Sequence, residues 1–300
     1  MPSIREIEIE RDAEDLVELT REIDPTAVVT VASYTHRLRT VPERAEGRIW
    51  VAELGSRGVG RAQCNRNFFT EGSDTVVLNV AVRRAQRRLG IGGALYETGL
   101  RHARALGGGT LLSSFHENPA GVAFASRLGF SLSRAEQLAT LDPRSVRDEA
   151  SGGVDLRPVS SVDPRLVYAV DLEATLDMPQ AEAVDDLPYD EWVGHVLEYP
   201  GFSAEGSFVA LADGVAAAVS LLGADPESGR GHSLFTGTLR AYRGRGLARA
   251  VKLASIRWAA ANGITTMTAA NDETNAPMLA INRRLGYVPA GRRVEYVRAT

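Results

Sequence analysis

Two hydrophobic periods alternate along this chain, and the whole alternation runs twice. Ile7-Glu8-Ile9-Glu10 alternates apolar with charged residues, the period of a half-buried strand. Asp12 then stands where an N-cap belongs, ahead of a helical stretch from Ala13 to Ile23. Arg48–Leu54, Val59–Asn65 and Thr75–Val82 read as three strands. A helix over Gly90–Leu106 follows, stopped by Gly107-Gly108-Gly109. A strand at Thr110–Phe115, a helix at Ala120–Leu128 and a closing strand complete the set. The pattern then restarts. Val154–Val159 predicts a strand, and Asp163-Pro164 opens a helix with Asp as cap and Pro in the first position. Strands at Ser207–Ala212, Val215–Leu222 and Ser233–Leu239 precede a helix at Gly246–Ala261, stopped by Asn262-Gly263. Another strand (Ile264–Ala269), a helix (Ala276–Leu285) and a last strand end the chain. The order predicts the α/β (α+β) class: two tandem domains, each a mostly antiparallel mixed sheet flanked by helices.

Individual residues keep the same register. Arg87-Arg88-Leu89-Gly90-Ile91-Gly92 returns as Arg243-Gly244-Arg245-Gly246-Leu247-Ala248, Asn118 as Asn275, and Arg127-Leu128-Gly129-Phe130 as Arg284-Leu285-Gly286-Tyr287. The spacings are 156, 157 and 157 residues. The polar stretch Asp142–Gly153, with Pro143 and Gly152-Gly153, reads as a linker, which sets the domains at 1–145 and 153–300.

Composition narrows the function classes. Three hundred residues, 44% hydrophobic and 24% charged, suit two soluble globular domains. A net charge of −4 does not advertise nucleic acid or membrane binding. The Arg83, Arg84, Arg87 and Arg88 cluster would be the place for nucleic acid, but it lacks interleaved aromatics. Cys64 is the only cysteine, so no intrachain disulfide and no cysteine-based zinc site can form, and no metal is expected. With no signal-peptide core at the start and no run of about 18 apolar residues, the expectation is a cytoplasmic, non-membrane protein. Lys252 is the only lysine; arginine supplies nearly all positive charge.

The repeated Arg-x-x-Gly-x-Gly/Ala, placed after a strand and opening a helix, has a specific physical use. First-turn N–H groups lack intrahelical partners and carry the positive end of the helix dipole. Small residues let phosphates approach the backbone, so the turn is a seat for a diphosphate, with Arg87 or Arg243 beside it. The third glycine of a dinucleotide fingerprint is missing in both copies, and Lys252 follows Val251 rather than glycine, so neither NAD nor Walker-type nucleotide chemistry fits.

These turns, the later Asn118 and Asn275, and the closing Leu-Gly-Phe/Tyr resemble the GNAT superfamily of N-acetyltransferases, in its actinobacterial tandem type. The second half carries the longer match, from Thr236-Gly237-Thr238 to Leu285-Gly286-Tyr287. The resemblance implies acetyl-CoA as co-substrate and a small-molecule amine as acceptor, acetylated by direct attack on the thioester. It implies coenzyme binding by Thr236, Gly237, Thr238, Arg243, Gly244, Arg245, Gly246, Leu247, Ala248, Asn271, Asn275, Met278 and Asn282. In the first half it implies Val80, Ala81, Val82, Arg87, Arg88, Leu89, Gly90, Ile91, Gly92, Gly93 and Asn118. The end of the fourth strand would pair with the pantetheine arm like an added strand. Many family members place a proton-donating Tyr four residues before the closing Gly; here Ala125 and Asn282 stand there, leaving the general acid unassigned.

A general base is also needed. Glu273, Asp186 and His232 are the candidates taken forward, with Asp185 and Glu191 near Trp192 suited to a cationic acceptor, and His116 in the first half a strand-end residue. Loss of the acid motivates an alternative: a CoA-binding, non-catalytic or regulatory module. A monomer and a homodimer are both compatible with the sequence.

Overall fold

A computed structural model describes residues 2–147, 153–179 and 185–300. In chain order, the first repeat holds β1 (Ser3–Glu6), α1 (Ile9–Ile23), α2 (Val31–Arg39), β2 (Arg48–Leu54), β3 (Arg57–Arg66), β4 (Thr75–Val82), α3 (Ile91–Ala105), β5 (Thr110–His116), α4 (Pro119–Arg127) and β6 (Ser131–Leu141). The second holds β7 (Asp155–Pro158), α5 (Pro164–Leu176), α6 (Tyr189–Trp192), β8 (Phe208–Ala212), β9 (Val215–Asp225), β10 (Arg230–Thr238), α7 (Leu247–Ala261), β11 (Thr266–Asp272), α8 (Ala276–Arg284) and β12 (Val288–Ala299). This is the mixed α/β fold expected of the repeat pattern.

The sequence repeat and the compact units divide the chain differently. One unit comprises Met1–Ala135 with Gly291–Thr300, the other Glu136–Ala290. Its own closing strand does not finish either unit. β12 pairs antiparallel with β5, Val294 opposite Phe115, in the first unit. β6 pairs antiparallel with β11, Ala139 opposite Ala269, in the second. The strand order is β1-β2-β3-β4-β5-β12 in the first unit and β7-β8-β9-β10-β11-β6 in the second. All pairs within a unit are antiparallel except β4–β5 and β10–β11. Of the linker stretch, Pro143–Ser145 forms a 3-10 turn and Val146 packs on the second unit's core; residues 148–152 lie outside the described residues.

Two cores fill the first unit. One lies between α3 and the sheet, around Ala62, Leu78, Leu95 and Leu111; the other lies under α1, around Leu16, Leu19 and Tyr34. Each fully buried leucine stabilises the fold by about 1.5–3 kcal/mol relative to exposure. The second unit repeats the scheme, with Leu253, Ile256 and Met267 under α7 and Val167, Val170 and Trp192 under α5. Cys64 lies in the first core with no exposure, and burial pushes its thiol up to about 12, so it acts as a small apolar side chain.

The first thirty residues correct the sequence reading. Ile7–Glu10 is not a strand: β1 lies earlier, and Ile9 and Glu10 begin α1. Asp12 is not the N-cap, a position held by Glu8. The Asp12 carboxylate instead accepts the Glu8 N–H at 2.8 Å and the guanidinium of Arg5 at 2.6 and 2.8 Å. Acidic Glu10 and Asp12 favour the helix N-terminus electrostatically, which draws the helix start forward. The sequence pattern does not predict the short α2, although Thr30 and Ser33 form its reciprocal capping box.

Candidate functional site

In each unit the two parallel strands run together for only three residues. The β4–β5 ladder covers Thr75–Val77 against Thr110–Leu112, and β10–β11 covers Arg230–His232 against Thr266–Thr268. Beyond those points β4 continues paired to β3, and β10 to β9. One backbone edge of each strand therefore faces a gap. The two gaps differ. In the first unit Asn79 Oδ1 accepts the Ser114 N–H across the gap at 2.8 Å and lies 3.3 Å from Ser113 Oγ. In the second, Phe235 stands at that position, and β10 shifts register between Ser233 and Phe235, a bulge that β4 lacks.

Both glycine turns cap a helix in the same unusual way. Gly90 and Gly246 are the N-caps of α3 and α7, with φ of +81° and +78°, and neither helix has a side-chain cap. The first helical bonds run from Ala94 N–H to Gly90 O and from Ala250 N–H to Gly246 O, both at 3.1 Å. The amides of Ile91–Gly93 and of Leu247 and Ala248 precede those bonds. Two residues before each cap, Arg88 and Gly244 are again left-handed, at +67° and +78°. Alternating backbone hands of this kind gather N–H groups into an anion-binding concavity. A Cβ at Gly90, Gly93, Gly244 or Gly246 would meet nothing within 4 Å, so a phosphate's approach is open.

The arginines beside the turns are partly committed. Arg87 Nε donates to Val82 O at 3.1 Å, and Arg243 Nε to Thr238 O at 3.2 Å, tying each turn to the end of its strand. Glu22 accepts the Arg84 N–H at 2.6 Å, and Glu173 the Arg240 N–H at 2.7 Å. Only the second unit adds Asp177, whose carboxylate binds Arg240 and, at 2.6 Å, Arg243. Hydrogen bonds from Arg240 and then Arg243 hold that carboxyl below its usual range. Arg245 pairs with Asp213 at 3.0 Å and lies over the Tyr242 ring.

The structure gives the other candidate positions local tasks. Asn118 caps α4 by accepting the Gly121 N–H at 3.0 Å, and Asn275 caps α8 by accepting the Met278 N–H. Asn282, buried on α8, donates to Asn271 Oδ1 at 2.6 Å, while its own Oδ1 has no protein partner. Gly237 is required by packing: a Cβ there would lie 2.6 Å from Ala174 Cβ of α5. Thr236 and Thr238 flank it on the opposite face of β10. Val80, Ala81 and Val82 line the end of β4; Leu89 is exposed in its turn, and Gly92 approaches the Phe124 ring.

Of the acid–base candidates, His232 alone sits where the strands part. It is paired with Thr268, the last rung of the β10–β11 ladder, and its Nδ1 lies 2.7 Å from Thr268 Oγ1. Asp185, Asp186 and Glu273 are exposed, and Glu191 lies on α6. His116 ends β5 in the first unit. No group of three or more potential metal ligands occurs among the described residues, nor any helix there long and apolar enough to cross a membrane.

Two features escaped the sequence reading. Trp192 packs with Tyr168 and Tyr189, and its Nε1 donates to buried Asp171 at 2.6 Å. Burial raises the Asp171 carboxyl pKa, against the hydrogen bonds from Trp192 and Thr175. Phe235 joins this cluster, so the aromatic wall reaches the gap, and a turn of π-helix (Val193–Leu197) follows it. Lys252 is the second: it lies wholly inside, on the apolar face of α7. Its signal was legible, because it occupies a buried phase of that helix between Val251 and Leu253.

Comparison with known proteins agrees with this geometry. The profile of the Acetyltransferase (GNAT) family matches twice, at residues 13–130 and 171–287. A mycothiol acetyltransferase from Saccharomonospora viridis is 29% identical over 243 residues, 75% of this chain and 74% of that protein. A tandem GNAT protein from the clavulanic acid biosynthesis pathway superposes with a TM-score of 0.75 at 21% identity, covering all of this chain and 98% of the other. A GCN5-related N-acetyltransferase from Sphaerobacter thermophilus gives 0.74 at 16% identity, covering 99% and 95%.

Proposed function

We propose that this chain, which belongs through both halves to the acetyltransferase (GNAT) family, acetylates a small-molecule amine by direct attack on acetyl-CoA, with the second unit as the catalyst. That it is an N-acetyltransferase follows from the family; the acceptor class, the route and the choice of unit are the reading. One observation carries the choice. The second unit alone combines an uncapped glycine turn with a bulged strand edge at the gap, where the first unit spans the gap with Asn79.

Bound acetyl-CoA supplies an acetyl group activated as a thioester. The Leu247 and Ala248 amides and the Gly244–Gly246 backbone are suited to its diphosphate. The edge of β10 from Leu234 to Thr238 is suited to the amide groups of its arm, and a backbone N–H at the bulge to charge developing on the carbonyl oxygen. His232 takes the proton from the acceptor's ammonium. The acids Asp185, Asp186 and Glu191, with the Tyr168–Tyr189–Trp192 cluster, favour a cationic acceptor.

Calorimetry with acetyl-CoA and an acceptor screen detecting released CoA test the reading. Gly246→Val should abolish transfer and Gly90→Val should leave it. Transfer that survives Gly246→Val and dies with Gly90→Val would reverse the assignment of units. No uptake of acetyl-CoA at all would end the coenzyme reading.

A further inference from the structure

The two units use the same helix-on-sheet packing with opposite chemistry at one seam. In the first unit, the face of β4 toward α3 is apolar: Leu78, Val80 and Val82, with Leu78 against Gly99 and Val82 near Gly92. β10 has one extra residue at its bulge, so the counterparts are Ser233, Thr236 and Thr238. On the helix, Tyr96 and Gly99 become Lys252 and Ser255, and Phe130 at the closing strand becomes Tyr287. Thr236 Oγ1, Thr238 Oγ1, Ser255 Oγ and the Tyr287 hydroxyl are all buried without a protein partner. At the same seam the first unit leaves one such atom, the Tyr96 hydroxyl, against these four, so the fold does not need the full set. Buried polar groups lacking partners destabilise a core, so their concentration in one repeat calls for a use.

Lys252 is the centre of the seam. Its Nζ donates to Ser233 Oγ at 2.8 Å and lies 5.2 Å from the centre of the Tyr287 ring. No carboxylate among the described residues pairs with it. His232, beside Ser233 on β10, directs Nδ1 to Thr268 instead. Ser233 follows the last rung shared with β11 and opens the bulge, the point at which the proposed acyl site begins.

We infer that Lys252, acting through the Ser233 hydroxyl, is the proton source for the sulfur leaving group of the coenzyme. The inference rests on the acetyl-transfer reading above. As the acceptor nitrogen bonds to the acetyl carbon, the C–S electron pair goes to sulfur. Ser233 gives sulfur its hydroxyl proton and takes one from the Lys252 ammonium; the acylated nitrogen sheds its surplus proton to water, and the neutral lysine amine later regains a proton from solvent. Burial lowers the lysine to about 7, so near neutral pH it can be both charged and ready to release a proton. Lys252 does not touch the coenzyme in this scheme; Ser233 does. It fills the role left vacant by Asn282.

One lysine in the chain makes a direct test possible. Protein carrying isotope-labelled lysine gives a single side-chain NMR signal, whose pH midpoint is read with CoA bound and with desulfo-CoA bound, after calorimetry has confirmed binding of both. The free thiol ionises near the lysine, so CoA should raise the midpoint by about one pH unit or more over desulfo-CoA. Ser233→Ala should erase that difference while both compounds still bind. With an amine from the acceptor screen, Lys252→Met should lower kcat about a hundredfold with KM for acetyl-CoA unchanged. Equal midpoints with the two bound compounds, or an unchanged kcat in folded Lys252→Met, overturns the inference. Failure of both compounds to bind overturns the coenzyme reading instead.

Discussion

Arg88 and Gly244 occupy the same place in the two glycine turns and share a left-handed backbone, with φ of +67° and +78°. Glycine holds that conformation without steric cost, whereas an L side chain costs about 1–2 kcal/mol. The first turn thus keeps the geometry of the second despite the wrong residue. Arg88→Gly is expected to stabilise the protein by about 1 kcal/mol, the steric relief exceeding the extra freedom of the unfolded chain. Urea unfolding should show a higher midpoint at an unchanged slope. A lower midpoint would argue against a left-handed residue at position 88.

Lys252 should make stability depend on pH in a defined direction. Its folded-state pKa is lowered to about 7 from an ordinary 10.5, so the unfolded chain binds more protons between those values. Stability therefore rises as pH increases through that window, and the full penalty of burying the charge is present below it. Lys252→Met keeps the stem of the side chain and removes the ionisable group. The variant should be more stable than the parent at pH 6, and the gap should narrow as pH is raised toward 9. Denaturant melts at the two pH values measure this; a gap that stays constant would mean Lys252 keeps its proton throughout.

What the sequence made legible followed from local rules. The Gly90 and Gly246 turns, the Asp163-Pro164 helix start and the strands β2 and β4 were read from turn chemistry and alternation, which depend on neighbours in the chain. The closing strands were legible as strands but not by partner. β6 and β12 have similar patterns, and nothing local tells either one which sheet edge it joins. The same limit applied to the site. Arg243 reads as a free guanidinium until Asp177, at the end of another helix, is brought beside it. The aromatic cluster of Tyr168, Tyr189 and Trp192 is spread over 25 residues and assembles only when α6 packs on α5.

Asp177 sets the charge of the second turn. It binds both Arg240 and Arg243, cancelling positive charge next to the amides proposed to receive a diphosphate. Asp177→Ala should therefore tighten acetyl-CoA binding several-fold at low ionic strength. The gain should shrink as salt is added, since these groups lie at the surface and screening acts within about 10 Å at 0.1 M salt. The stability cost should be small, as for other exposed ion pairs. Calorimetry at two salt concentrations checks it. Weaker binding at low salt would mean that Asp177 positions Arg243 rather than neutralising it.

The exchanged strands make a long-range prediction. Val294 and Tyr296 belong to the last ten residues, yet both are buried in the core of the first unit, where the Tyr296 ring stacks on Phe115 at 5.4 Å. The first unit thus lacks its closing strand until β12 has been synthesised, and its β5 edge stays unpaired meanwhile. Tyr296→Ala removes a large buried ring and should cost about 3 kcal/mol. Hydrogen exchange should locate the loss in β5 and α3, 180 or more residues upstream of Tyr296, and leave β11 and α8 protected. Faster exchange confined to β11 and α8 would show that β12 supports the second unit instead, and would return the chain to two repeats that each close on themselves.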